Sequence, residues 1–144
     1  MAAGNNNAKA SKYSPGRVVQ ALTVAASTIA DVKATFSNYG APVDIWAAGF
    51  NVISTWNNGG TNILSGTSMA TPHVAGFAAY LLGLDSTLTP AQIAQLIDDK
   101  SLKNALGGVR EFLFAPCRMF CLQTLKPPLP IAAGTVNKLL NDKL

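Results

Sequence analysis

From residue 68 to residue 84 the chain can form a helix with no polar face: Ala70, Ala75, Gly76, Ala78 and Ala79 are interleaved with Val74, Phe77, Tyr80, Leu81 and Leu82 around the whole circumference. A surface helix keeps a polar stripe for water, so a helix of this kind is expected to be buried. The fold must then place other elements around it. Pro72 is read as lying in the first turn, where N–H groups have no intrahelical acceptor, and Gly83 as a stop. Three short apolar runs, Val18-Val19-Gln20-Ala21-Leu22-Thr23-Val24, Val43-Asp44-Ile45-Trp46-Ala47 and Val52-Ile53-Ser54-Thr55-Trp56, are bounded by Gly, Pro and Asn and read as strands. Asn57-Asn58-Gly59-Gly60 signals a tight turn, with Asn62-Ile63-Leu64-Ser65 returning as a fourth strand. Beyond the helix, Thr89-Pro90 supplies an N-cap with Pro at the first helical position. Ile93, Leu96 and Ile97 then recur opposite Gln92, Gln95 and Asp99, the pattern of an amphipathic covering helix. Strands alternating with helices predict an α/β layer architecture.

At 144 residues the chain is one domain by length and large enough to bury a single core. Its 49% hydrophobic and 12% charged residues argue against disorder. No run approaches the roughly 20 apolar residues of a membrane span, so no membrane role is expected. The net charge of +4 is scattered, without a Lys/Arg block that would follow a phosphate backbone, and nucleic acid is not an expected partner. Cys117 and Cys121 stand four apart with no second pair or nearby His to complete a zinc motif; two free thiols or one short-loop disulfide remain open. The start, Met-Ala-Ala-Gly-Asn, lacks the basic and hydrophobic regions of a secretory signal.

The run Ser65-Gly66-Thr67-Ser68-Met69-Ala70-Thr71-Pro72-His73-Val74-Ala75-Gly76 sets a serine at a strand-to-helix junction. There the orphan N–H groups and the positive end of the helix dipole favour a developing negative charge. This run resembles the nucleophile segment of subtilisin-like serine proteases, and the surrounding sequence is most similar to the proteinase K-like fungal branch. Ala2-Ala3-Gly4-Asn5 resembles the family's oxyanion segment, Phe36-Ser37-Asn38-Tyr39-Gly40 precedes a Val43-Asp44-Ile45 strand as in the family, and Gly134-Thr135-Val136-Asn137 looks like its closing strand. The resemblance implies a mostly parallel sheet flanked by helices, here incomplete. It also implies Ser68 as nucleophile, Asn5 as oxyanion donor beside the Ser68 amide, and Ala2, Ala3 and Gly4 as one wall of a substrate pocket. A peptide or protein substrate and no catalytic cofactor follow from it. Asp44 matches a calcium-binding carboxylate of the family, with the carbonyls of Val19 and Ala21 completing the protein ligands of a structural calcium; an exposed strand-end carboxylate is the alternative.

The single histidine, His73, is five residues from Ser68, about 140° around a helix, and is read as a packed core residue rather than the base. In the family the catalytic His and Asp lie upstream of the oxyanion Asn, in sequence this chain does not contain. The expectation is therefore a serine endopeptidase fragment, inactive alone and poorly soluble, whose partner is the missing N-terminal half of the domain in cis or in trans. A non-catalytic assembly or peptide-binding remnant of the same scaffold is the second reading. The family is extracellular, which the absence of a signal leaves open for this chain. Residues 1–109 are read as the C-terminal portion of the catalytic domain and residues 132–144 as the family-like closing strand. Residues 110–131, with both cysteines and adjacent prolines, read as an atypical insertion, of the kind translated intron sequence would give.

Overall fold

The computed structural model describes residues 1–103, Leu106 and the backbone of Arg118–Met119. Residues 132–144, Cys117, Cys121 and the rest of the segment read as an insertion lie outside the described residues. The elements run β1 (Val24–Ser27), β2 (Ile45–Ala48), β3 (Val52–Thr55), β4 (Thr61–Leu64), α1 (Thr67–Leu84), α2 (Pro90–Lys100), β5 (Leu102–Lys103) and β6 (Arg118–Met119). The main sheet has the order β1-β2-β6-β5, with β1 and β6 both parallel to β2 and β5 antiparallel to β6. Ala2 bridges to Val24 on the free side of β1, so the segment before β1 lies along the sheet edge. No helix among the described residues is long and apolar enough to cross a membrane.

Strands β1 and β2 are apolar on both faces, as strands covered on both sides must be. Val24 and Ala26 of β1 and Ile45 and Ala47 of β2 face α1 and α2, packing with Ala70, Val74, Phe77, Leu81, Ile93 and Ile97. The alternate residues Ala25 and Trp46 point the other way and pack on Ala3, with Tyr39, Val43 and Leu106 around them. Helix α2 begins with a capping box: the Thr89 side chain accepts from the Gln92 N–H, the Gln92 side chain accepts from the Thr89 N–H, and Pro90 follows at the first helical position.

Three expectations change. The first predicted strand is displaced, because residues 18–23 are turn and irregular chain with Val19 exposed, and β1 starts only at Val24. Its β-branched residues suggested a strand, but the four buried residues that pair with β2 are Val-Ala-Ala-Ser, a run with little intrinsic β signal. Pro72 is not in the first turn: α1 starts at Thr67, so Pro72 is interior and the Ser68 carbonyl loses its helical donor. The helix continues through that single lost bond, with Thr71 Oγ1 donating to the Thr67 carbonyl alongside. Helix α1 also buries only the face of Thr67, Ala70, Val74, Phe77 and Leu81. Ala75, Gly76, Ala79 and Leu82 are exposed, since the described residues cover the helix from one side.

The hairpin of β3 and β4 turns through Asn57-Asn58-Gly59-Gly60, where Gly59 takes a φ of +82° and Trp56 N–H donates to the Gly60 carbonyl at 2.8 Å. Its base is clipped. The Asn51 N–H donates to Ser65 Oγ at 2.9 Å, and the Gly66 N–H to the Gly49 carbonyl at 2.7 Å. Gly49 must lack a side chain, because a Cβ there would stand 2.6 Å from Ala26 Cβ and 2.8 Å from the Gly66 carbonyl oxygen. That close approach seats the start of α1 beyond the carboxyl ends of β1 and β2, where ligands of parallel sheets bind.

Candidate active site

At the start of α1 the N–H groups of the N-cap Gly66 and of Thr67, Ser68 and Met69 have no helical partner four residues back, and that of Gly66 is taken by the Gly49 carbonyl. The Thr67 N–H donates to Asn5 Oδ1 at 2.9 Å, and those of Met69 and Ala70 reach back to the Gly66 carbonyl at 3.0 and 3.3 Å. Among the described residues, the Ser68 N–H has no acceptor. Ser68 is itself exposed, so hydroxyl and open amide sit together on the solvent side of the helix start. An oxygen bearing negative charge would meet both the open amide and the positive end of the helix there.

Asn5 is held beside this point by its oxygen. Its Oδ1 accepts from Thr67 Oγ1 at 2.9 Å as well as from the Thr67 N–H. A backbone N–H can only donate, which fixes the amide oxygen on Thr67 and turns Nδ2 outwards. Nδ2 makes no hydrogen bond among the described residues and lies against Gly66, where a Cβ would come within 3.3 Å of it. Thr67 Oγ1 also accepts from the Gly4 N–H at 3.1 Å, so one hydroxyl links the Gly4-Asn5 segment to the helix.

A second anchor is Asn38, fully buried. Its Oδ1 accepts from the N–H groups of Asn6 at 2.9 Å and Ala8 at 3.1 Å, and its Nδ2 donates to the Ala3 carbonyl at 2.9 Å. The Asn38 N–H donates to the Gly4 carbonyl at 2.9 Å. Ser37 Oγ, also buried, accepts from the Ala26 N–H at 2.9 Å and so ties this turn to β1. Thr67 and Asn38 enter the sequence reading only as members of resemblance motifs. Nothing local marks either residue: the partners of Thr67 are Gly4 and Asn5, and those of Asn38 are about thirty residues away.

The remaining site residues fall into two groups. Ala2 and Gly4 are half-buried along the segment that reaches Asn5, whereas the Ala3 methyl is buried against Ala25 and Trp46, so Ala3 offers a pocket wall only its main chain. His73 is half-buried rather than packed in the core, and its Nδ1 donates to the Met69 carbonyl at 2.9 Å, one turn back along the helix. Ser68 Oγ has no hydrogen-bonding base among the described residues.

Asp44 lies away from Ser68, beside the turns of residues 15–21. Its Oδ2 accepts from the Thr23 N–H at 2.7 Å. Neighbouring protein pushes its carboxyl above the ordinary carboxylate value, against the pull of that bond. Its accessible surface is that of an exposed residue, so the burial is one-sided and the effect on stability is small. No group of three His, Cys, Asp or Glu side chains forms a metal position among the described residues. An ion at Asp44 would therefore need main-chain oxygens, and the carbonyls of Val19 and Ala21 accept no backbone hydrogen bond there.

A model described as the subtilase family matches residues 1–115. Over 109 residues the chain is 53% identical to a cuticle-degrading protease of Metarhizium anisopliae, covering 76% of this chain and 28% of that protein. It is 41% identical over 134 residues to alkaline serine exoprotease A of Vibrio alginolyticus, covering 90% of this chain and 25% of the relative. The chain thus spans about a quarter of the length of these relatives. Among solved structures, a cold adapted subtilisin-like serine proteinase superposes with a TM-score of 0.77 at 42% identity, over 82% of this chain and 42% of that one.

Proposed function

The chain belongs to the subtilase family, and from that premise we propose that it carries the nucleophile-bearing part of a serine endopeptidase. Ser68 Oγ attacks the peptide carbonyl and forms the acyl-enzyme, while the Ser68 N–H and Asn5 Nδ2 receive the oxyanion. One observation carries the reading: of the first-turn donors of α1, the Ser68 amide alone is open among the described residues, and Asn5 is fixed with its donor free beside it. Chemistry needs a base as well. The lone histidine donates to Met69 and lies about 140° around the helix from Ser68, so the base comes from a complementary segment in cis or in trans. The face of α1 that the described residues leave open supports this, since Ser68, Ala75, Ala79 and Leu82 share it. A segment packed on that stripe ends beside the serine.

Calcium belongs to the proposal as a structural ion held by Asp44 and the carbonyls of Val19 and Ala21; it brings the two chain segments together and takes no part in the reaction. The substrate is a peptide or protein, and an extracellular setting goes with this reading. A fluorophosphonate probe, which labels an activated serine, tests it. The 144-residue chain should be labelled slowly, and labelling at Ser68 should rise when the preceding segment of a relative is co-expressed. Ser68→Ala should remove the signal. Labelling of the chain alone at the rate of an intact subtilase would refute the missing base, and no labelling with the complement present would favour a non-catalytic scaffold.

A further inference from the structure

Lys33 points its ammonium group into oxygen atoms that no carboxylate contributes. Nζ donates to Asn7 Oδ1 at 2.8 Å, the Ser37 carbonyl at 2.9 Å and the Ala34 carbonyl at 3.1 Å, with the Thr35 carbonyl at 3.5 Å. The Tyr39 ring closes the group from another side, 5.5 Å from its centroid. The three N–H bonds of an ammonium are matched by three close oxygens. This is the environment of a bound monovalent cation, supplied here by a side chain. Ordering the long lysine chain costs conformational entropy, so the cage must return more than a surface contact does.

The oxygen from Asn7 makes the cage matter for the site. Asn7 has a φ of +49°, the left-handed region that non-glycine residues rarely take. With Asn7 in that conformation the N–H groups on either side, of Asn6 and Ala8, converge on one acceptor, Asn38 Oδ1. Asn5 stands one residue before this turn, with its own Oδ1 tied to Thr67. Thr67 therefore fixes the segment from the helix side, Asn38 from beneath, and Lys33 from the far side. Without Lys33 the left-handed residue keeps its main-chain bond, Asn7 N–H to the Phe36 carbonyl at 2.7 Å, but loses the one that holds its side chain.

We propose that Lys33 is a positioning residue, a built-in cation whose oxygen cage holds the Asn6-Asn7-Ala8 turn and thereby sets the direction of the Asn5 amide one residue before it. Its functional meaning rests on Asn5 as an oxyanion donor; its geometry does not.

The test uses the full chain, labelled with nitrogen-15. In the wild type, the Lys33 ammonium protons should give a slowly exchanging signal with cross-relaxation to the Tyr39 ring. Their absence, under conditions where the Trp46 indole N–H is visible, would overturn the cage whether or not any variant folds. Lys33→Met should speed exchange at the Asn6 and Ala8 amides by about tenfold or more, as local opening loses its tether. It should also move the Asn5 side-chain amide resonances and leave the Trp46 indole unshifted, and Lys33→Arg, whose planar guanidinium does not match three oxygens arranged for an ammonium, should restore little of either change. Exchange within about twofold of wild type, with Asn5 unmoved, would sink the proposal. Failure of the oxyanion reading looks different: these spectra would hold, while Asn5→Ala would leave fluorophosphonate labelling of the complemented chain unchanged.

Discussion

Gly4 has a φ of +100°, and a Cβ there would stand 2.4 Å from Asn38 Nδ2. Gly4→Ala should therefore combine backbone strain with a displaced Asn38, at about 2 kcal/mol or more in denaturant unfolding. Asn38→Ala removes the acceptor of two N–H groups and the donor to Ala3. It should cost about 2–3 kcal/mol. Both variants should also expose the Asn6 and Ala8 amides to exchange, whereas a pure core defect would not single them out. For Asp44 the sign follows from the raised pKa. The folded state binds the proton more tightly than the unfolded one, so in chelator the fold should lose stability as pH rises from the ordinary carboxylate value through the raised one. Calcium needs the ionised form and should reverse that trend, while Asp44→Asn should flatten both curves. A pH series of melting temperatures with and without chelator checks this. Asn5 and Ser68 were legible because their motifs are local. Lys33 and Asn38 were not, because a lysine and an asparagine acquire a role only from which distant oxygens and amides surround them.

Among the elements, α2 was the best read from sequence, since its cap, its proline and its apolar spacing all agree. Thr89→Ala breaks the capping box and should destabilise the chain by about 1 kcal/mol in thermal or denaturant unfolding. Helix α1 was found with its boundary off by one residue, and the proline misplaced with it, because Thr67 takes its first-turn acceptor from Asn5, a partner invisible to local pattern. β1 is displaced from the predicted run for a related reason: Val-Ala-Ala-Ser becomes a strand by pairing with β2 and Ala2, not by propensity. Gly66 stands where element and site meet. Gly66→Ala would press a methyl against Asn5 Nδ2. The expected result is a shifted Asn5 amide signal and labelling of the complemented chain lowered by about tenfold or more, with little change in the helix.

At the scale of the molecule, the described residues form two layers, a sheet and the helices on one of its faces, and leave one side of the apolar helix α1 open. Ala79 lies on the face of α1 that the described residues leave open. Ala79→Arg should change the unfolding free energy of this chain by less than about 0.5 kcal/mol, yet prevent the complementary segment from activating Ser68. An arginine that left activation intact would show that the partner docks elsewhere. The α/β class was readable from alternating strands and helices. The side of α1 that the described residues leave open was not, because a sequence gives the periodicity of a face and not what lies against it.

The clip at Gly49, Asn51, Ser65 and Gly66 makes the hairpin a detachable handle. Whatever length or sequence runs between the two clipped ends, the helix start is delivered to the same place on the sheet. A short epitope inserted between Asn58 and Gly59 should leave the melting temperature within about 2 °C of the parent, and relatives could vary their hairpins freely without retuning the serine beneath.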